Sequence, residues 1–283
     1  METMVLIGTH TSVAGGLDLA FERAEHLGCT SMQIFTRNPR QWNSPPLLDS
    51  EIEKFRFNKS KSTIKKIVSH TSYLINLSGS ESIREKSEKM LLEEIIRCHK
   101  LGISDIVLHP GFAGTFLKPQ ALEMISKSLL NVFNYSQKND VRILLETMAG
   151  QGSVLGGSIS DLYNIIKMTG NSQQLGLCID TCHIFASGYD IKDKNSYNKY
   201  IEIIDRGIGT GKIGCLHIND SKFILGSKKD RHANIGDGQI NINLFKYFLQ
   251  DERFNTIPAI LETPKENNGD IKNLKIIMSL IKQ

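Results

Sequence analysis

A chain of 283 residues, 40% hydrophobic and 23% charged, is long enough to bury one large core and too apolar to stay disordered. Its formal charge of +4 is only mildly basic, so any anion-binding face must come from local clustering or from bound metal. The five cysteines, Cys29, Cys98, Cys178, Cys182 and Cys215, are odd in number and form no CxxC pair. That argues against a disulfide framework and for a reducing compartment. No basic start leads into a long apolar stretch, and no run reaches the length of a membrane span. A cytoplasmic protein without signal peptide or transmembrane segment is expected.

Along the chain, short apolar runs alternate with longer amphipathic ones. The short runs are Val5–Thr9, Ser31–Phe35, Lys66–Ser69, Asp105–Leu108, Arg142–Leu145, Gly176–Ile179, Gly214–Leu216 and Pro258–Leu261. They are rich in Ile, Val and Leu and too short for helices, as strands buried on both faces are. Between them, Leu17–Leu27, Ser82–Leu101, Gln120–Asn134, Ile159–Met168, Ser196–Gly207, Ile242–Phe248 and Ile271–Ile281 carry apolar residues at helical spacing. Gly28, Gly102, Gly170 and Gly207 stand where helices would stop. Eight strands alternating with helices predict a parallel α/β sheet, and eight is the number that closes a (β/α)8 TIM barrel of about 250 residues. One domain spanning 1–283 is expected. A doubly wound open sheet is the competing architecture, which periodicity alone does not exclude.

The residues that follow these runs are His10, Thr36, His70, His109, Glu146, Asp180, His217 and Glu262. In a barrel they ring the C-terminal mouth, where barrel active sites lie. Singly, a His there is more often a hydrogen-bonded structural residue, and an Asp or Glu is often a helix cap. Together they would crowd carboxylates without counter-charge, which is costly unless the groups pair or bind metal. Two spacings extend the set. Asp180 and His183 lie one turn apart after a strand, and Asp230 and His232 share one face of an extended segment. The donors His70, His109, Glu146, Asp180, His183, His217, Asp230, His232 and Glu262 are five imidazoles and four carboxylates, without thiolate. That mixture suits zinc, manganese or iron. Nine donors exceed the needs of one tetrahedral ion, so two or three ions with a bridging carboxylate are implied. Such clusters attack phosphate esters.

These residues fall within GTHTSVAGG (8–16), FTRNPRQW (35–42), HTSYLINL (70–77), HPG (109–111), LETMAGQG (145–152), GLCIDTCH (176–183), HINDSK (217–222), DRHANIG (230–236) and LETP (261–264). In them the chain resembles, nearly end to end, the endonuclease IV family of apurinic/apyrimidinic (AP) endonucleases. The resemblance implies a TIM barrel with three zinc ions, one site accepting manganese. One ion would be held by His70, His109 and Glu146. A second would be held by Glu146, Asp180, His217 and Glu262, with Glu146 bridging. The third would be held by His183, Asp230 and His232. It further implies hydrolysis of the phosphodiester 5′ to an abasic nucleotide in double-stranded DNA, leaving a 3′-hydroxyl and a 5′-deoxyribose phosphate, together with trimming of blocked 3′ ends. Glu146 and Glu262 would be catalytic, Glu262 orienting or deprotonating the water. Apart from the resemblance, a monomer is expected, because the helices carry no large exposed apolar stripe, located wherever the DNA resides.

By the same resemblance Arg40, Tyr73 and Leu74 insert at the lesion. An abasic nucleotide swings out of the stack cheaply, and wedge side chains hold the gap. Packing is the plainer reading of Trp42 and Leu74, and a solvated surface charge that of Arg37. Lys222, Lys228, Lys229 and Arg231 offer phosphate contacts. Thr11, Val13 and Thr71 depart from the family pattern, which touches the surroundings of the donors and not the donors themselves. His10 joins the ring without being a family ligand, as a supporting or substrate-facing residue. Two other functions share such residues: a metal-dependent sugar isomerase or epimerase of the same barrel fold, which needs neither the third donor set nor the wedge loop, and a non-catalytic binder of abasic DNA.

Overall fold

The computed structural model describes residues 6–136 and 140–281. Eight parallel strands close on themselves in the order β1-β10-β7-β6-β5-β4-β3-β2. They are β1 (Ile7–His10), β2 (Ser31–Ile34), β3 (Lys66–His70), β4 (Asp105–Leu108), β5 (Arg142–Glu146), β6 (Leu175–Asp180), β7 (Ile213–His217) and β10 (Ala259–Leu261). Closure is made by β1 pairing with both β2 and β10, so the chain is a single-domain (β/α)8 barrel and not an open sheet. The predicted start of the first strand at Val5 lies outside the described residues. Two residues each in β8 (Asp220–Ser221) and β9 (His232–Ala233) form a small antiparallel ladder above the mouth.

The helices are α1 (Leu19–His26), α2 (Asp49–Lys61), α3 (Glu81–Leu101), α4 (Lys118–Tyr135), α5 (Ile159–Met168), α6 (Thr181–Ser187), α7 (Lys194–Gly207), α8 (Ile242–Leu249) and α9 (Gly269–Ile281). Sequence periodicity reveals neither α2 nor α6. Only Phe55 of α2 is fully buried, so it carries no apolar stripe to read. The seven residues of α6 are too few to repeat one. Gly102 ends α3 in the left-handed conformation. Gly207 is still helical, and Gly209, at φ +92°, makes the turn after α7.

The apolar residues form two separate cores. The larger lies between the strands and the helices that wrap them. The smaller is inside the barrel: Val68, Val107, Leu144, Cys178, Cys215 and Ile260, one from each of six strands. Side chains alternate along a strand, so the residue two positions further on points to the same interior. Those residues are His70, His109, Glu146, Asp180, His217 and Glu262. An apolar plug thus sits one rung beneath six polar side chains. Among the described residues, no helix is long and apolar enough to cross a membrane. All five cysteines are free and buried.

Candidate metal centre

The strand ends bring the polar residues into contact. Glu146 is completely buried and divides its oxygens. Its Oε2 lies 3.4 Å from His70 Nε2 and 3.1 Å from His109 Nε2. Its Oε1 lies 3.1 Å from His217 Nδ1. His217 Nδ1 is also 3.2 Å from Glu262 Oε2 and 3.9 Å from Asp180 Oδ2. A second level is added from loops. Asp180 caps α6, accepting from the His183 backbone N–H at 2.8 Å, and so sets His183 one helical turn above β6. His183 Nε2 reaches Asp230 Oδ1 at 3.1 Å. His232 Nε2 lies 3.4 Å from Asp230 Oδ1 and 3.6 Å from Asp180 Oδ2.

Three groups therefore bring their donor atoms within 4.8 Å of one another: His70, His109 and Glu146; Glu146, Asp180, His217 and Glu262; and His183, Asp230 and His232. Two further groups include thiols, Cys178 and Cys215 with His217, and Cys182 with Asp180 and His232. Burial pushes the Cys182 thiol up to about 12 and Cys178 well above the usual range, whereas Cys215, which burial would raise, is lowered to about 7 by Cys178 and His217.

The nine-residue arrangement fits divalent cations. His183 Nε2, His232 Nε2 and Glu146 Oε2 are buried with no hydrogen-bond partner, although oxygens or nitrogens lie close by. The second nitrogen of each of three rings meets a backbone carbonyl. His70 Nδ1 is 2.8 Å from Thr71 O, His183 Nδ1 2.7 Å from Thr147 O and His232 Nδ1 3.0 Å from Glu262 O. A carbonyl can only accept, so these nitrogens carry the hydrogen and leave a lone pair at Nε2, facing the cage. Ligands at tetrahedral zinc stand about 3.4 Å apart for bond lengths near 2.1 Å, which is the spacing found between these donors.

Without cations the cluster holds its charge by mutual pairing. Burial opposes ionisation of Glu146, but His217 and His109 outweigh it and keep the carboxyl well below the usual range. Glu262 is lowered likewise, burial being overcome chiefly by His217. Burial would lower His183 and His217. Asp180 and Asp230 around the first, and Glu262 and Glu146 around the second, raise both well above 6.5 instead. His10 is the exception, lowered by its burial.

Supporting residues hold the donors in place. Asn219 donates to Asp180 Oδ2 at 2.6 Å and accepts from the Glu262 backbone N–H at 2.8 Å. Asp220 gathers the backbone N–H groups of Ser221, Gly236, Gly238 and Ile240, fastening the loop that bears Asp230 and His232. Gly238 packs so tightly that a Cβ there would strike the Asp220 carboxylate. Thr36 does not join the ring. β2 ends at Ile34, Thr36 is buried with its carbonyl bound by Arg97, and Gln33 occupies the mouth position instead. Sequence reading misses Gln33 because the apolar run continues through Phe35; a polar residue inside a buried strand is the available signal.

A cavity of about 280 Å³ opens over the centre, lined by His10, Phe35, His70, Tyr73, His109, His183, Asp230, His232, Glu262, Thr263 and Lys265. Tyr73 is half-exposed at its edge, its ring 5.9 Å from that of His70. Arg40 is exposed on the adjoining loop and Leu74 packs against the outer core; neither lines the cavity. Trp42 also packs partly buried on that core. Arg37 is neither a free cation nor solvated. It is buried, pairs with Glu93 at 3.0 Å and donates to the carbonyls of Gln41 and Trp42. The Ser72 hydroxyl and Tyr73 N–H both bind Pro39 O, so the loops bearing Arg40 and Tyr73 are fastened to each other. Lys222, Lys228, Lys229 and Arg231 are exposed.

The fold and site together define a closed α/β barrel with a candidate polyhistidine-carboxylate metal centre at its C-terminal mouth. Residues 21–282 match the family model described as xylose isomerase-like TIM barrel. The chain is 38% identical over 281 residues to a probable endonuclease 4 of Chloroflexus aurantiacus, covering 98% of this chain and 99% of the relative. It is 40% identical to a probable endonuclease 4 of Geotalea daltonii, with 98% of each covered. The crystal structure of endonuclease IV from Thermus thermophilus superposes with a TM-score of 0.86 at 31% identity, covering 98% of both chains. The chain belongs to the endonuclease IV family of AP endonucleases. A D-tagatose 3-epimerase-like protein shares the fold, with a TM-score of 0.76 at 19% identity over 99% of this chain and 97% of that one.

Proposed function

We propose that the protein is a DNA-repair AP endonuclease. It hydrolyses the phosphodiester 5′ to an abasic site in double-stranded DNA, leaves a 3′-hydroxyl and a 5′-deoxyribose phosphate, and trims blocked 3′ ends. The observation that carries the reading is the third donor group, His183 with Asp230 and His232, standing beside the barrel-floor groups. Sugar isomerisation on the same fold needs no such group. Three zinc ions are assigned to the three groups, with manganese acceptable at one. When bound, they supply an activated water at neutral pH and neutralise charge on the phosphoryl and leaving oxygens.

The chain's own residues do the positioning. Glu146 turns one oxygen to His70 and His109 and the other to His217 and His183, the disposition of a bridging carboxylate. Glu262 keeps Oε2 toward His217 while Oε1 is held by Gln33, so it can orient the attacking water and take its proton. Six positive charges against four carboxylates leave a positive field that favours the more negative transition state over the ground state. Tyr73, at the cavity edge, and Arg40 and Leu74 beside it are assigned to the lesion gap.

The test combines zinc analysis with nicking of a duplex bearing one tetrahydrofuran abasic analogue. Zinc-loaded protein should cut it and chelated protein should not. Failure of the loaded protein to cut would overturn the reading. Glu262→Gln should lower nicking by about 100-fold or more while binding of the abasic duplex persists, which separates an enzyme from a binding module.

A further inference from the structure

Gln33 is completely buried and touches three residues of the mouth. Its Nε2 lies 2.6 Å from Glu262 Oε1 and 2.9 Å from His10 Nδ1. Its Oε1 lies 2.8 Å from His217 Nε2. Only one orientation of the amide is tolerable. The reverse would set a carbonyl oxygen 2.6 Å from a carboxylate oxygen, two acceptors with no hydrogen between them. The amide nitrogen has two hydrogens, and Glu262 Oε1 and His10 Nδ1 stand before it. His10 Nδ1 also lies 3.3 Å from Glu262 Oε1, but a hydrogen on Nδ1 would oppose the amide N–H at the shorter 2.9 Å contact, so Nδ1 accepts. The amide oxygen requires a hydrogen on His217 Nε2.

We propose that Gln33 fixes His217 and His10 in the same tautomer, Nε2–H, with opposite uses: His217 keeps its Nδ1 lone pair for metal, and His10 presents Nε2–H as a neutral donor to an anionic oxygen of the substrate phosphate. Nδ1 of His217 faces Glu146, Asp180 and Glu262. Nε2 of His10 is buried without a hydrogen-bond partner, and the residue lines the cavity over the centre. Its ring is set by Phe35, 4.3 Å away centroid to centroid, and its carbonyl is bound by Lys265, which lines the same cavity. A neutral donor contributes a hydrogen bond without competing with the cations for the carboxylates. Gln33 is thus a positioning residue and His10 a binding residue. The phosphate assignment rests on the proposed phosphodiesterase reading; the tautomers do not.

Two-bond ¹H–¹⁵N correlation spectra of zinc-loaded protein labelled with ¹⁵N-histidine read the tautomers in the wild type directly. Both His10 and His217 should show Nε2–H, and a hydrogen on His10 Nδ1 would overturn the proposal. Calorimetric titration of the zinc-loaded protein with inorganic phosphate supplies a second readout. His10→Ala should weaken phosphate about tenfold with zinc content unchanged, and unchanged phosphate affinity would overturn the role of His10. Gln33→Leu should lower zinc affinity, measured by chelator competition, about 10- to 100-fold, and unaltered affinity would overturn the role of Gln33. Wild-type protein with these tautomers that fails to nick abasic DNA would overturn the proposed function and leave the tautomer assignment standing.

Discussion

The floor and the rim of the mouth are built by different means. On the floor, Glu146, Asp180 and His217 are fully buried, emerge directly from β-strands and rest on the apolar plug. On the rim, Asp230 and His232 stand on a loop beyond β7, with 29% and 17% of their side chains exposed, and depend on Asp220 and a two-residue ladder for their position. The floor is fixed by the same hydrogen bonds that close the barrel. The rim is fixed by side-chain anchors that can be lost one at a time. A cation held by the floor should therefore be retained more tenaciously than one held by the rim.

The comparison breaks first at Glu146. Glu146→Gln removes a charge shared by two donor groups, and nicking of an abasic duplex should fall on the order of a thousandfold, with zinc content reduced by more than one ion per chain. A variant that kept its full zinc complement would show that Glu146 does not bridge. Asp230→Asn should act more locally. Zinc affinity at one site should drop by at least about tenfold, and graded chelation followed by metal analysis should remove that ion before the others. Simultaneous loss of all ions would erase the distinction between floor and rim.

The smallest effect concerns the rim on the opposite side. Glu94 of α3 is buried and accepts from the Ser72 backbone N–H at 3.1 Å, anchoring the loop of Tyr73. Burial pushes its carboxyl up to about 7, against the lowering by Ser72 and Arg37. The folded value lies above the ordinary one of 4.5, so the folded state binds the proton more tightly than the unfolded chain. Its contribution to stability is present below about pH 4.5 and is lost as pH rises through about 7. Glu94→Gln keeps an acceptor for Ser72 without the charge. Relative to wild type, it should gain in Tm between about pH 5 and pH 8; an unchanged difference across that range would show that Glu94 does not titrate there.

Much of this is legible in the sequence because strand ends and donors coincide. Val68-x-His70, Leu144-x-Glu146 and Ile260-x-Glu262 each write a core residue and a mouth residue two apart, so finding the strand finds the site. The rim is less legible. The apolar run through Phe35 hides that β2 ends at Ile34, which puts Thr36 in the expected ring and leaves out Gln33. Arg37 reads as a surface or recognition charge, because its partner Glu93 lies 56 residues away on a helix face and no local spacing announces the pair. The helix α2 escapes because one buried phenylalanine makes no period.

The apolar plug beneath the donors has a dielectric consequence. Charge gathered at the mouth has poorly polarisable matter on one side and open solvent on the other. Its field cannot relax into the barrel and is expelled outward along the axis. The floor thus acts as a reflector behind the centre, and with the proposed cations bound an anion diffusing past the mouth should meet a stronger pull than the same charges would exert if water surrounded them on every side.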